Sequence, residues 1–151
     1  MKRVLIAIDY DPSAAKVAEA GYALAKAMSA ETILLHVIAE ASYYSSMEYS
    51  PVMGFTGFAD PHIPEMVESE LKKEALRFLD ASKEHLGDGT IKTIVAEGSF
   101  SKTILQVATD EQADIIVMGR QSRRGLDKIL MGSVTEKVLH HSHVPLYIIP
   151  N

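Results

Sequence analysis

A chain of 151 residues with 47% hydrophobic and 23% charged side chains suits one domain, residues 1–151, burying about 70% of its unfolded surface. A formal net charge of −5 argues against a general nucleic-acid binder, and zero cysteines exclude disulfides, thiolate metal sites and thiol nucleophiles. No apolar run approaches bilayer-spanning length, so neither nucleic acid nor a membrane is an expected partner.

Strand and helix signals alternate along the chain. Val4 to Asp9 is a continuous apolar run closed by an aspartate, as expected of a strand covered on both faces. It is too short for the apolar segment of a signal peptide, so a cytoplasmic protein is expected. Pro12 and Ser13 open a helix whose stripe is Ala14, Val17, Ala18, Gly21, Leu24, Ala25 and Met28. Thr32 to Ile38 is a second strand. Residues 39 to 63 then lose all periodicity and scatter Tyr43, Tyr44, Tyr49, Phe55 and Phe58 among serines, glycines and prolines. A segment of this length reads as a self-packed surface loop, with a cover over a ligand or partner as the alternative.

From Pro64 to Leu86 a helix carries Val67, Leu71, Ala75, Phe78, Leu79, Ser82 and Leu86 on one face, and Gly87-Asp88-Gly89 ends it. Ile91 to Glu97 is the third strand. Ser99 to Glu111 follows as a helix with Ile104, Leu105 and Ala108 inward. Ile115 to Met118, Gly132 to His141 and Leu146 to Ile149 complete the order as strand, helix and strand. Such alternation predicts an α/β fold: a five-stranded parallel sheet, doubly wound into three α/β/α layers, of Rossmann-like type.

In sheets of this kind ligands bind beyond the carboxyl ends of the strands, where the strand order reverses. Asp9 and Gly119 stand at the ends of strands one and four, and adjacency of those strands would bring both to one crevice. From Gly119 the chain passes through the basic stretch Arg120, Arg123, Arg124 and Lys128 to Gly132-Ser133 at a helix start. The first turn of a helix leaves N–H donors unpaired and partly positive, so this segment is a candidate anion cradle, with the hydroxyls of Ser133 and Thr135 as further donors. A plain helix cap is the competing reading.

Asp114-Ile115-Ile116-Val117-Met118-Gly119 and Gly132-Ser133-Val134-Thr135-Glu136-Lys137-Val138-Leu139 resemble the corresponding segments of the universal stress proteins. The resemblance runs from the opening strand to Val144-Pro145-Leu146-Tyr147-Ile148-Ile149, and it implies the adenine nucleotide alpha hydrolase-like variety of the fold. ATP-binding members carry glycine, two residues, glycine, nine residues, then glycine with serine or threonine. Gly119, Gly132 and Ser133 match, whereas Ser122 stands in place of the second glycine and Gly125 follows three residues on. Were that position to need positive φ, serine would cost about 1 kcal/mol or more relative to glycine. The resemblance implies backbone contacts from Ala7 and Ile8, and Asp9 reaching the ribose or a phosphate-bound Mg²⁺. It implies further that Val37 lies against adenine, that Met118 and Gly119 form a floor, and that Gly132, Ser133, Val134 and Thr135 hold phosphates.

Other chemistry is poorly supported. His140, His141 and His143 are dense, but histidines so close on one turn seldom converge on one ion, and basic side chains suit a helix C-terminus. His36 reads as a packed or hydrogen-bonded strand residue. Neither a nucleophile elbow nor a Walker A lysine is present. A phospho-accepting receiver domain would need an aspartate after strand three and a lysine after strand five, where Glu97-Gly98 and Pro150-Asn151 stand instead. Two functions follow: a regulatory module binding ATP, ADP or AMP with no dedicated catalysis beyond slow hydrolysis, or a dimeric interaction protein without nucleotide. The final strand has no helix after it and is expected at the sheet edge, where pairing with its own copy would form a homodimer.

Overall fold

The computed structural model describes residues 2–39, 63–120 and 131–151, with the backbone alone for 63–68. Its strands are β1 (Arg3–Ala7), β2 (Glu31–Ile38), β3 (Lys92–Glu97), β4 (Ile115–Gly119) and β5 (Leu146–Ile149). Its helices are α1 (Ala14–Ala27), α2 (Ile63–Leu86), α3 (Phe100–Asp110) and α4 (Ser133–His141). The five strands form one parallel sheet in the order β3-β2-β1-β4-β5. The chain therefore winds outward from β1 to β3, returns, and winds the other way through β4 and β5. The switch point lies between β1 and β4.

Side-chain alternation along the central strand divides the core. Val4 and Ile6 pack with Val17, Ala18 and Ala25 of α1, Leu79 of α2 and Val117. Leu5 turns to the other face and packs with Ile104 and Ala108 of α3, Val138 of α4 and Ile116. Val4, Leu5 and Ile6 are wholly inaccessible to solvent, which is why this strand is a continuous apolar run without a polar alternate. The α1 stripe buries Ala14, Val17, Ala18, Gly21 and Ala25, while Leu24 and Met28 flank it half-exposed. Small residues there let the helix lie close to the sheet.

Element ends depart from the sequence reading in one functionally relevant place. β1 stops at Ala7 rather than at Asp9. Ile8 still donates its N–H to the Leu35 carbonyl at 2.9 Å, but the Asp9 carboxylate then accepts the Asp11 N–H at 3.1 Å. That local side-chain bond turns the chain out of the ladder. Two further bonds extend the turn: Asp11 Oδ1 accepts the Ser13 N–H at 2.8 Å and the Ser13 hydroxyl at 2.5 Å. Strand β4 instead runs one residue further than expected, through Gly119. The aromatic segment, all but its ends, and the 121–130 stretch with Ser122, Arg123, Arg124, Gly125 and Lys128 lie outside the described residues.

Gly21 brings α1 close against the sheet. A Cβ built on it would fall 2.7 Å from Ile6 Cδ1 and 3.1 Å from Val117 Cγ1, both in fully buried side chains. Gly21→Val should therefore overpack this layer and lower stability by about 1–3 kcal/mol, read as a lower urea midpoint at unchanged slope. An unchanged midpoint would mean that α1 shifts away from β1 at little cost.

Candidate functional site

A crevice of about 430 Å³ opens beyond the carboxyl ends of the strands flanking the switch point. Ala7, Ile8 and Asp9 reach it from β1, Leu35, His36 and Val37 from β2, and Met118 and Gly119 from β4. The turn into α1 supplies Tyr10, Asp11, Pro12 and Ser13, and α3 contributes Phe100 and Ile104. Ala14 and Val17 of α1, Val134 of α4 and Asn151 also line it. Adjacency of β1 and β4, with Ile6 opposite Val117 in register, brings Asp9 and Gly119 to the same opening.

The expected site residues divide into three groups. Ala7, Ile8, Asp9, Val37, Met118, Gly119 and Val134 line the crevice. Ser122 and Gly125 lie outside the described residues. Gly132, Ser133 and Thr135 stand at the start of α4 without lining the crevice, and two of them do something other than expected. The Gly132 N–H donates to the Arg120 carbonyl at 2.9 Å, so it joins the two ends of the basic stretch rather than facing an anion. Gly132 itself is extended, with φ −62° and ψ 151°, a conformation any residue adopts.

Thr135 is fully buried, and its hydroxyl donates to the Gly119 carbonyl at 2.9 Å. Its hydroxyl proton therefore anchors α4 to the end of β4 rather than addressing a phosphate. By helix geometry the first-turn N–H groups of Ser133, Val134 and Thr135 have no intrahelical acceptor, so the backbone part of the cradle remains. Among the described residues, the crevice lining holds the carboxylates of Asp9 and Asp11 and no lysine or arginine. Hydroxyl groups or a hard cation suit that end, and an anion suits the α4 end.

Sequence reasoning did not single out Tyr10, Ser13, Phe100, Ile104 or Asn151 for this site. Tyr10 joins a three-ring cluster, with ring centroids 4.6 Å from His36 and 4.9 Å from Phe78. His36 and Phe78 meet edge to face at 5.4 Å. The rings come from a turn, a strand and a helix, so no local pattern announces them. His36 is the packed, hydrogen-bonded histidine that its place in a strand suggests: it is buried, and Nδ1 lies 2.9 Å from the Ile8 carbonyl. Burial lowers its pKa, and the bond to Ile8 only partly offsets this. At neutral pH the ring is uncharged and donates from Nδ1–H.

With this geometry in hand, the sequence matches the universal stress protein family over residues 1–150. The chain belongs to that family. It is 32% identical to the universal stress protein YxiE of Bacillus subtilis, with 97% of each chain covered. It is also 32% identical to MJ0577 of Methanocaldococcus jannaschii, over 98% of this chain and 94% of that one. The solved structure of MJ0577 superposes with a TM-score of 0.77 at 30% identity, covering 98% of this chain and 94% of that chain. A universal stress protein solved in complex with cAMP shares the fold, with a TM-score of 0.63 at 18% identity over 98% of this chain and 95% of its own.

The His36 environment predicts a pH dependence. Its folded pKa lies below the ordinary 6.5, so the unfolded chain takes up the proton first as pH falls. His36 should therefore subtract stability as pH drops below about 6.5, until its lowered folded pKa is reached. Thermal unfolding of the wild type and of His36→Gln, compared at pH 7.5 and at pH 5, isolates this contribution from the exposed histidines. The acid-induced loss should be smaller in the variant; equal losses would show that His36 is not desolvated.

Proposed function

We propose that this universal stress protein binds an adenine nucleotide, ATP with Mg²⁺ foremost and ADP or AMP as related ligands. It acts as a regulatory stress-response module. The observation that carries the reading is the meeting of Asp9 and Gly119 at the switch point, facing the first turn of α4. Ala7 and Ile8 would hold the nucleoside by backbone contact, Val37 would lie against adenine, and Met118 with Gly119 would form the floor. Ser133, Val134 and Thr135 would receive phosphates through backbone N–H, with Ser122 and Gly125 in the segment that approaches them.

The acidic end accommodates ribose hydroxyls through Asp9, and a hard cation shared by Asp9 and the phosphates fits the same oxygen donors. The cAMP complex of a protein of this fold supports the seating of an adenine nucleotide in such an architecture. Slow hydrolysis by water is the only chemistry proposed. Among the described residues no helix is long and apolar enough to cross a membrane, and we place the protein in the cytoplasm, where MgATP is available.

Gently purified protein should carry absorbance at 260 nm from retained nucleotide, and the absence of tryptophan keeps its own 280 nm signal low. Titration calorimetry with MgATP should show binding that Asp9→Ala weakens about tenfold or more. Ser122→Gly should tighten it by up to about tenfold if serine strains the loop by about 1 kcal/mol. Absence of heat and of thermal shift at millimolar MgATP would overturn the reading in favour of an interaction protein without nucleotide.

Assembly as a homodimer through β5 is the second part of the proposal. β5 is an edge strand, and Tyr147 on it is 43% exposed. The Pro145 carbonyl accepts the Ile116 N–H of β4 at 3.0 Å, and the Ile149 carbonyl accepts the N–H of Arg120, just after β4, at 2.8 Å. Alternation along a parallel ladder turns Tyr147 the same way and points the backbone of Leu146 and Ile148 to the free edge. Ile148→Pro removes an outward donor, whereas Tyr147→Pro would break the ladder to β4. Light scattering should give a dimer for the wild type and a monomer for Ile148→Pro, with circular dichroism confirming a folded chain. A wild-type mass of 16.5 kDa at micromolar concentration would overturn the assembly.

A further inference from the structure

Gly119 is not open space. A Cβ built on it would lie 2.6 Å from Asn151 Nδ2, 3.0 Å from Cγ and 3.2 Å from Oδ1. The whole carboxamide of Asn151 thus covers the position that a side chain of residue 119 would take. The same Nδ2 donates to the Ser13 hydroxyl at 2.7 Å, and that hydroxyl donates to Asp11 Oδ1 at 2.5 Å. A polar strap in the crevice lining therefore runs from the segment after β5 to the turn before α1. Asn151, Ser13, Asp11 and Gly119 all line the crevice.

The backbone beneath this strap is tied down. The Arg120 N–H donates to the Ile149 carbonyl at 2.8 Å, and Arg120 Nη2 lies 3.4 Å from the Asn151 carbonyl oxygen. Rotation of the carboxamide about its own side-chain torsions can clear Gly119 without moving β5. Such a rotation gives up the hydrogen bond to Ser13.

We propose that the Asn151 side chain is a built-in latch on the crevice. It fills the seat above Gly119 and must swing out before a ligand can lie against that glycine. This deepens the nucleotide reading and rests on it for the ligand. A ligand that needs the open form binds with an affinity reduced by the fraction of molecules already open. The latch then sets a threshold ligand concentration. It also supplies a reason for glycine at residue 119 that operates without any ligand: a methyl group there would strike the latch.

Two measurements on the full chain test this. Asn151→Gly removes the carboxamide and should tighten MgATP binding severalfold in calorimetry; unchanged or weaker binding overturns the latch, the latter making Asn151 a ligand contact. A readout that needs no ligand comes from unfolding midpoints of Gly119→Ala, Asn151→Gly and the double variant. Gly119→Ala should lower the midpoint while Asn151 is present, and lower it much less when combined with Asn151→Gly. Equal losses in both backgrounds overturn the latch whatever the ligand result. If neither protein binds MgATP, the nucleotide reading falls, and this coupling alone decides whether Asn151 holds the seat.

Discussion

Parallel pairing of β1 with β4 is the contact on which the rest of the structure depends. β1 is buried on both faces, so it must have a strand on each side and a helical layer above and below. β2 takes one side through the crossover of α1, and the chain returns from β3 to place β4 on the other. The crossovers that leave β1 through α1 and β4 through α4 run in opposite directions, diverge, and leave a gap at the carboxyl end of the sheet. The crevice is that gap. Its position follows from sheet topology before any side chain is considered.

The chemistry of the gap comes from what the strand ends do with their last polar groups. At β1 the Asp9 carboxylate captures the Asp11 N–H, ending the ladder and holding two carboxylates at the mouth. At β4 the last carbonyl, that of Gly119, is taken by the buried Thr135 hydroxyl, fixing the start of α4 against the strand. One side of the opening is thereby acidic and the other presents the first turn of a helix. Bridging such a pair calls for a ligand with hydroxyls or a cation at one end and negative charge at the other. A nucleotide meets that description.

Gly119 shows how one residue serves several constraints. Its carbonyl anchors α4, its Cα face is covered by the Asn151 carboxamide, and its backbone borders the crevice. A glycine in a phosphate-binding pattern is easily credited to the ligand alone. Here the space that a side chain would need is already occupied by the protein itself. Thr135 carries a similar lesson: a hydroxyl at a helix start, eligible on paper as a phosphate donor, holds two secondary-structure elements together.

The order of strands and helices, their parallel arrangement and the split of the core between two faces were legible from residue patterns. Continuous apolar strands and 3.6-residue stripes are local signals of burial, and Val4 to Ile6 or Ala14 to Ala25 carry them in full. Asp9, Gly119 and the α4 start could be picked out too, because strand ends and helix starts expose unpaired backbone groups wherever they occur. Folding decided the rest. Which hydroxyl faces inward, which rings meet around His36, and that Asn151 bonds to Ser13, 138 positions earlier in the chain, depend on the third dimension. Periodicity records how a residue sits relative to its neighbours in sequence, whereas these contacts join residues whose separation along the chain carries no repeating signal.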